Sequence, residues 1–160
     1  MNGLPSFLLF KMKKTLLLLI ILLLLSQSLF GKMGIYSSIA VLTVTDIPVN
    51  KKIIIDQPLA ITNSGDVDGY FYVSLVKGSE IESKEGFEDL PKMKWVRSSL
   101  WKKSGKAKKI KIKAGESIQA RIRIKVKERG RYLAYIKIQI ADKGMLNVQI
   151  CPRIEIVTEK

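Results

Sequence analysis

Two Ser-x-x-Lys pairs, Ser74 with Lys77 and Ser99 with Lys102, have the spacing by which a lysine activates a serine for acyl transfer. That chemistry needs the serine at a helix start and Ser-Asp-Asn and Lys-Thr-Gly segments elsewhere. Neither segment occurs, and both pairs fall in strand-like runs. The chain contains no histidine, which removes Ser-His and Cys-His nucleophile pairs, histidine general bases and ordinary zinc centres together. Ser64-Gly65-Asp66-Val67-Asp68-Gly69 offers carboxylates at alternate positions, as a calcium loop does. Leu75, however, stands where the closing bidentate Glu belongs, and an Asp- and Gly-rich strand connection accounts for the same residues. Cys151 is the single cysteine and precludes an intrachain disulfide. The expectation is a non-enzymatic protein that uses no cofactor and no metal.

Charge is the more informative chemistry. The chain carries 28 Lys and Arg against 14 Asp and Glu, a net +14. Residues 56–89 hold eight acids against two lysines, a net −6, whereas residues 92–131 hold sixteen cations against two acids, a net +14. Lys102, Lys103, Lys106, Lys108, Lys109, Lys111 and Lys113 crowd one segment, and Arg121, Arg123, Lys125 and Lys127 line one face of the next strand. If the two segments are neighbours in one sheet, the eleven form a surface that attracts polyanions such as anionic lipid or wall polymer. The competing use is a solvated surface that keeps sheet edges from pairing. Docking on the acidic 56–89 region of a second copy would give weak self-association.

The elements that position these residues are strands. Ile118, Ala120, Ile122, Ile124 and Val126 alternate with Gln119, Arg121, Arg123, Lys125 and Lys127, a period of two that puts one set inside and the other in water. Tyr132, Ala134, Ile136, Ile138 and Ile140 alternate likewise with Leu133, Tyr135, Lys137 and Gln139. With Glu128-Arg129-Gly130 as a turn whose glycine takes positive φ, the two runs predict an antiparallel hairpin. Shorter β-branched runs cover 39–45, 52–55, 59–62, 70–76, 94–97, 109–113, 145–150 and 153–157, and residues 77–91 read as a loop. Trp95 is expected in the core, while Trp101 is left undecided. Leu146, Val148 and Ile150 are expected to face this protein's own core. Seven to nine strands separated by Gly, Pro, Asn and Asp turns make an all-β antiparallel sandwich the expected fold.

The first residues read as a leader. Lys11, Lys13 and Lys14 precede the apolar run Leu16–Leu25, which is about half the ~20 residues a membrane-spanning helix needs. Residues 1–31 are therefore expected to be a signal peptide or an uncleaved N-terminal membrane anchor, and residues 32–160 the sandwich. Met12 reads as a second start. Export to the periplasm or cell surface follows, and it makes nucleic acid a poor partner.

The order Gln57-Pro58-Leu59-Ala60-Ile61-Thr62-Asn63-Ser64-Gly65-Asp66, then Tyr70-Phe71-Tyr72-Val73, is one recognisable stretch. Trp95 and the run from Ala114-Gly115-Glu116-Ser117 to Tyr132-Leu133-Ala134-Tyr135 form a second. Over about residues 40–157 the chain resembles the bacterial immunoglobulin-like modules of exported proteins, broadly similar to the N-terminal domains of pilus-assembly chaperones. The resemblance implies a sandwich rather than an activity. It leaves three roles to weigh: a binding or scaffold module for an envelope protein, a carrier of secreted subunits, or a polyanion-binding module.

Overall fold

The computed structural model describes residues 33–141 and 148–159. The expected leader (1–31) and Leu146 lie outside the described residues. Thirteen short strands run in chain order: β1 (Ile35–Ser37), β2 (Val41–Ile47), β3 (Ile53–Ile54), β4 (Leu59–Asn63), β5 (Gly69–Lys77), β6 (Glu88–Asp89), β7 (Val96–Arg97), β8 (Lys108–Ile112), β9 (Ser117–Ala120), β10 (Arg123–Ile124), β11 (Arg131–Ile140), β12 (Gln149–Ile150) and β13 (Arg153–Thr158). Single-turn 3₁₀ segments sit at Gly78–Glu80 and Met93–Trp95. The chain forms the expected all-β, immunoglobulin-like sandwich, but from thirteen strands among the described residues rather than seven to nine, because runs such as 118–127 are broken into separate short strands, here β9 and β10.

One sheet runs β2-β13-β11-β5-β8, with β12 and β6 also on β11. Facing it are the sheets β1-β4-β9 and β3-β10-β7, which are continuous in sequence where β9 leads through Arg121-Ile122 into β10. A single apolar cluster joins all three sheets, among them Leu59, Phe71, Trp95, Ile124, Ile136 and Ile154. Trp101 belongs to it as well, with its indole N–H directed at the Val96 carbonyl (3.4 Å). The N-terminal strand is split: β1 pairs antiparallel with β4, and β2 crosses to pair parallel with β13.

The expected hairpin does not form. β9 and β10 pair with β4, β3 and β7, never with β11. Both edges of β11 are taken by longer pairings, with β5 and β13, so the 118–127 run packs its apolar face across the core instead. The inside–outside parity survives: Ile122, Ile124 and Val126 are buried, and Arg121, Arg123, Lys125 and Lys127 are exposed.

Residues 128–130 accordingly form a corner between sheets rather than a hairpin turn. Gly130 is not in the left-handed region. It is glycine because a Cβ there would lie 2.7 Å from the Tyr132 ring and hydroxyl. Tyr132 Oη donates to the carbonyls of Arg129 (2.9 Å) and Glu128 (3.3 Å), the tyrosine corner of immunoglobulin-type sandwiches. Thr158 clamps the same corner, since Gly130 N–H donates to its Oγ1 (2.8 Å) and its own N–H donates to Gly130 O (3.1 Å).

Two parity expectations also fail. Leu133 and Tyr135, read as outward-facing, are buried. The 77–91 segment folds over that face, with β6 parallel to Tyr132-Leu133 and Leu90 N–H bonded to Leu133 O. Val148, read as core, is 40 % exposed. It stands at the end of the β11–β12 pairing, where its carbonyl accepts from the N–H of the half-buried Ile140.

One buried ion pair is a pH-dependent element. Glu155 is buried on β13, accepts a hydrogen bond from Lys84 (2.6 Å), and has Arg153 Nε 2.9 Å away. The Arg153 contact is a charge contact without hydrogen-bond geometry. The Lys84 bond, then the Arg153 charge, hold the carboxyl below the usual range against the opposing effect of burial. A depressed folded-state pKa contributes stability above the unfolded-state value of about 4.3, and that contribution disappears as pH falls through the folded-state value. Glu155→Gln is expected to lower stability by about 2 kcal/mol at pH 7. Its difference from the wild type in thermal melts should close below pH ~4; a difference constant from pH 7 to 3 contradicts the assignment.

Candidate functional site

The eleven basic residues predicted to form one surface are all exposed, but the structure divides them. Lys108, Lys109 and Lys111 lie on β8, the edge of the larger sheet, whereas Arg123 lies on β10, the centre of a smaller one. The chain changes sheets at the Lys113–Glu116 turn, so the two segments are not neighbours in one sheet as expected. Several β8-side cations also have partners. Lys108 donates to Ser99 O (2.7 Å), and Lys109 lies 4.3 Å from the Tyr70 ring centroid. Lys111 pairs with Asp68 (2.9 Å), and Lys113 approaches Glu116 (3.7 Å).

Arg123, Lys125 and Lys127 instead meet Lys52, Lys94 and Arg97. These six cations line a cleft of about 400 Å³ with Trp95 and Ile124, and no carboxylate lines it. Arg123 faces Arg97 directly across the β10–β7 pairing, and Lys125 N–H extends that pairing to Trp95 O (2.8 Å). Among the described residues none of the six is in an ion pair. Lys94 and Arg97 also border a shallower depression with Lys92, Met93, Lys103 and Ser104. Arg121 and Lys106 line neither. Lys52, Lys94 and Arg97 escaped the sequence reading because each sits on a different short element, and only the β3-β10-β7 pairing brings them together.

The acidic candidates are occupied locally. Asp68 accepts from Lys111 and from Ala114 N–H, which together hold its carboxyl below the usual range. Asp89 accepts from Ser79 Oγ and N–H, with the same consequence. The 63–69 connection is organised by Asn63, whose amide donates to Val67 O (2.7 Å) and Ile112 O (3.1 Å) and accepts from Gly65 N–H (3.1 Å). Among the described residues no group of three His, Cys, Asp or Glu could hold a metal, and no helix is long and apolar enough to cross a membrane.

A second feature lies at the opposite strand system. β12 pairs with β11 alone among the described strands. Ile140 N–H donates to Val148 O and Ile136 N–H to Pro152 O, so antiparallel alternation turns the Gln149 N–H and C=O away from β11. Beside this edge an apolar cleft of about 270 Å³ is lined by Ile35, Tyr36, Ile39, Ala40, Ile150 and Pro152, with Ser37 and Cys151. Tyr36 is 60 % exposed there. Cys151 is half-buried, and burial pushes its thiol pKa up, a thiol of low reactivity.

No family model matches the chain, and no curated protein matches it. Solved structures do. The ASH/PapD-like domain of human CEP192 superposes with a TM-score of 0.56 at 11% identity, covering 79% of this chain and 85% of that one. The class 5 fimbriae chaperone CfaA gives 0.53 at 10% identity, covering 79% and 57%. A chaperone–tip adhesin complex of CFA/I fimbriae biogenesis gives 0.54 at 10% identity with the same coverages. The chain spans little more than half the length of the fimbrial chaperones. Its domain is an immunoglobulin-like β-sandwich, similar in fold to the PapD-like domain of CEP192 and to domains of fimbrial chaperones.

Proposed function

We propose that this protein is a non-enzymatic binding module of the cell envelope that receives an extended apolar segment of another protein along the edge of β12 that no described strand covers. The observation that carries the reading is the outward-turned backbone of Gln149 beside the apolar cleft at Tyr36. An added strand would gain main-chain hydrogen bonds from the edge and seat alternate side chains in the cleft. The likeness in fold to a chaperone solved in complex with a tip adhesin supports a protein partner. The basic, leucine-rich run at 11–25 supports placing this role outside the cytoplasm.

Proline is tolerated where an edge N–H faces away from its sheet. Gln149→Pro is therefore expected to leave the melting temperature within a few degrees of the wild type while removing one bond to the incoming strand. The probe is a decapeptide of alternating valine and serine. In hydrogen-exchange measurements on the wild type it is expected to protect Gln149, and Gln149→Pro and Tyr36→Asp are each expected to weaken binding at least tenfold. Binding that survives both substitutions, or absence of protection at 148–150, sinks the reading.

A further inference from the structure

The cleft on the outer face of β3-β10-β7 has no part in the strand-edge reading, and its composition is difficult to explain as a solvated surface. Directly opposed like charges on antiparallel strands are destabilising, yet Arg97 and Arg123 stand in register on adjacent strands, both exposed. Lys52, Lys94, Lys125 and Lys127 crowd the same concavity, and no carboxylate relieves it. A concave arrangement of one sign focuses the field more than the same charges on a convex surface.

We propose that this cleft binds a ligand carrying two or more phosphate groups. Guanidinium forks match phosphate oxygens bidentately, and two forks side by side suit a tetrahedral group with several acceptors. Arg97 is preset for this. Its Nε donates to Lys94 O (2.9 Å), which fixes the stem and leaves both terminal nitrogens to donate to the ligand. The lysines supply unoriented positive charge around the pair, as compact ammonium groups do. One phosphate would leave most of these cations unmatched. Lys94 and Arg97 also border the neighbouring depression with Lys92 and Lys103, which gives a second phosphate a place. The ligand class is thus an oligophosphate or a multiply phosphorylated lipid or glycan.

The full chain is titrated calorimetrically with sodium tripolyphosphate at low ionic strength. Saturable binding is expected, weakening steeply as salt rises from about 0.05 to about 0.5 M because the Debye length shrinks from above 10 Å to about 4 Å. Arg97→Gln/Arg123→Gln is expected to weaken binding at least tenfold. Lys106→Gln/Lys109→Gln, which removes the same charge on and beside β8, is expected to change it less than twofold. Without ligand, the arginine double variant is expected to melt at or above the wild-type temperature, since the opposed pair is relieved. Vesicles containing cardiolipin, whose headgroup carries two phosphates, separate the sources: co-sedimentation that depends on Arg97 and Arg123 identifies a lipid headgroup, and tripolyphosphate binding without vesicle binding identifies a soluble phosphate. Equal losses in the two double variants would reduce the effect to net charge and overturn the site. Absence of tripolyphosphate binding at low salt, or poly-glutamate binding as tightly, overturns it too.

Discussion

Asn63→Asp is expected to destabilise the domain by more than about 3 kcal/mol although the two side chains are nearly isosteric. Asn63 is fully buried, and its amide nitrogen serves the carbonyls of Val67 and Ile112. An ionised carboxylate has no proton to give either, so two acceptors would face an acceptor carrying a charge out of water. Leaving buried polar groups unsatisfied costs about 1–3 kcal/mol each, and more where a charge is involved. Protonating the introduced acid restores only one donor, so stability should recover in part as pH is lowered. Denaturant melts at pH 7 and pH 5 measure both effects. A variant within about 1 kcal/mol of the wild type at pH 7 shows that the 63–69 connection does not depend on this residue.

The second large effect comes from two adjacent residues with opposite outcomes. Ile124 is fully buried at the centre of β3-β10-β7, and Lys125 beside it is exposed. Ile124→Asp removes a packed side chain and buries a charge without a partner, a loss of about 4 kcal/mol or more, enough to unfold a domain of ordinary stability. Lys125→Asp should stay within about 0.5 kcal/mol, and it may be read in the same melts. If the two variants melt alike, the inside–outside assignment of this strand is wrong.

The residues differ in how far their surroundings could be read from sequence. Alternation over 118–127 identified the buried and exposed sets because parity is local, a property of one strand. The partner of that strand is not local. β11 has two long neighbours competing for its edges, and nothing in 118–127 reveals that both places are taken. Leu133 and Tyr135 were misread for a related reason: alternation describes a sheet with one wet face, and the 77–91 segment covers the other. Tyr132 had a legible signal, a tyrosine two residues after Gly130 at the start of a long strand. The basic cleft had almost none. Its residues come from three short strands and the segments beside them, and their meeting is a result of sheet order. The dense lysine block at 102–113, conspicuous in sequence, lies instead along an edge where many of its members are already engaged.

The pairing of β2 with β13 has a consequence for the time at which the protein can exist as a folded body. Strand β13 stands between β2 and β11, and it supplies Thr158 to the corner at Gly130. The larger sheet therefore cannot close until residues 153–158 are present, and its closing contacts join segments more than a hundred residues apart. Such non-local closure makes folding slow relative to helical proteins of the same size. While the chain is being synthesised, everything before Arg153 lacks the strand that joins β2 to β11, so the larger sheet stays incomplete until that strand is made.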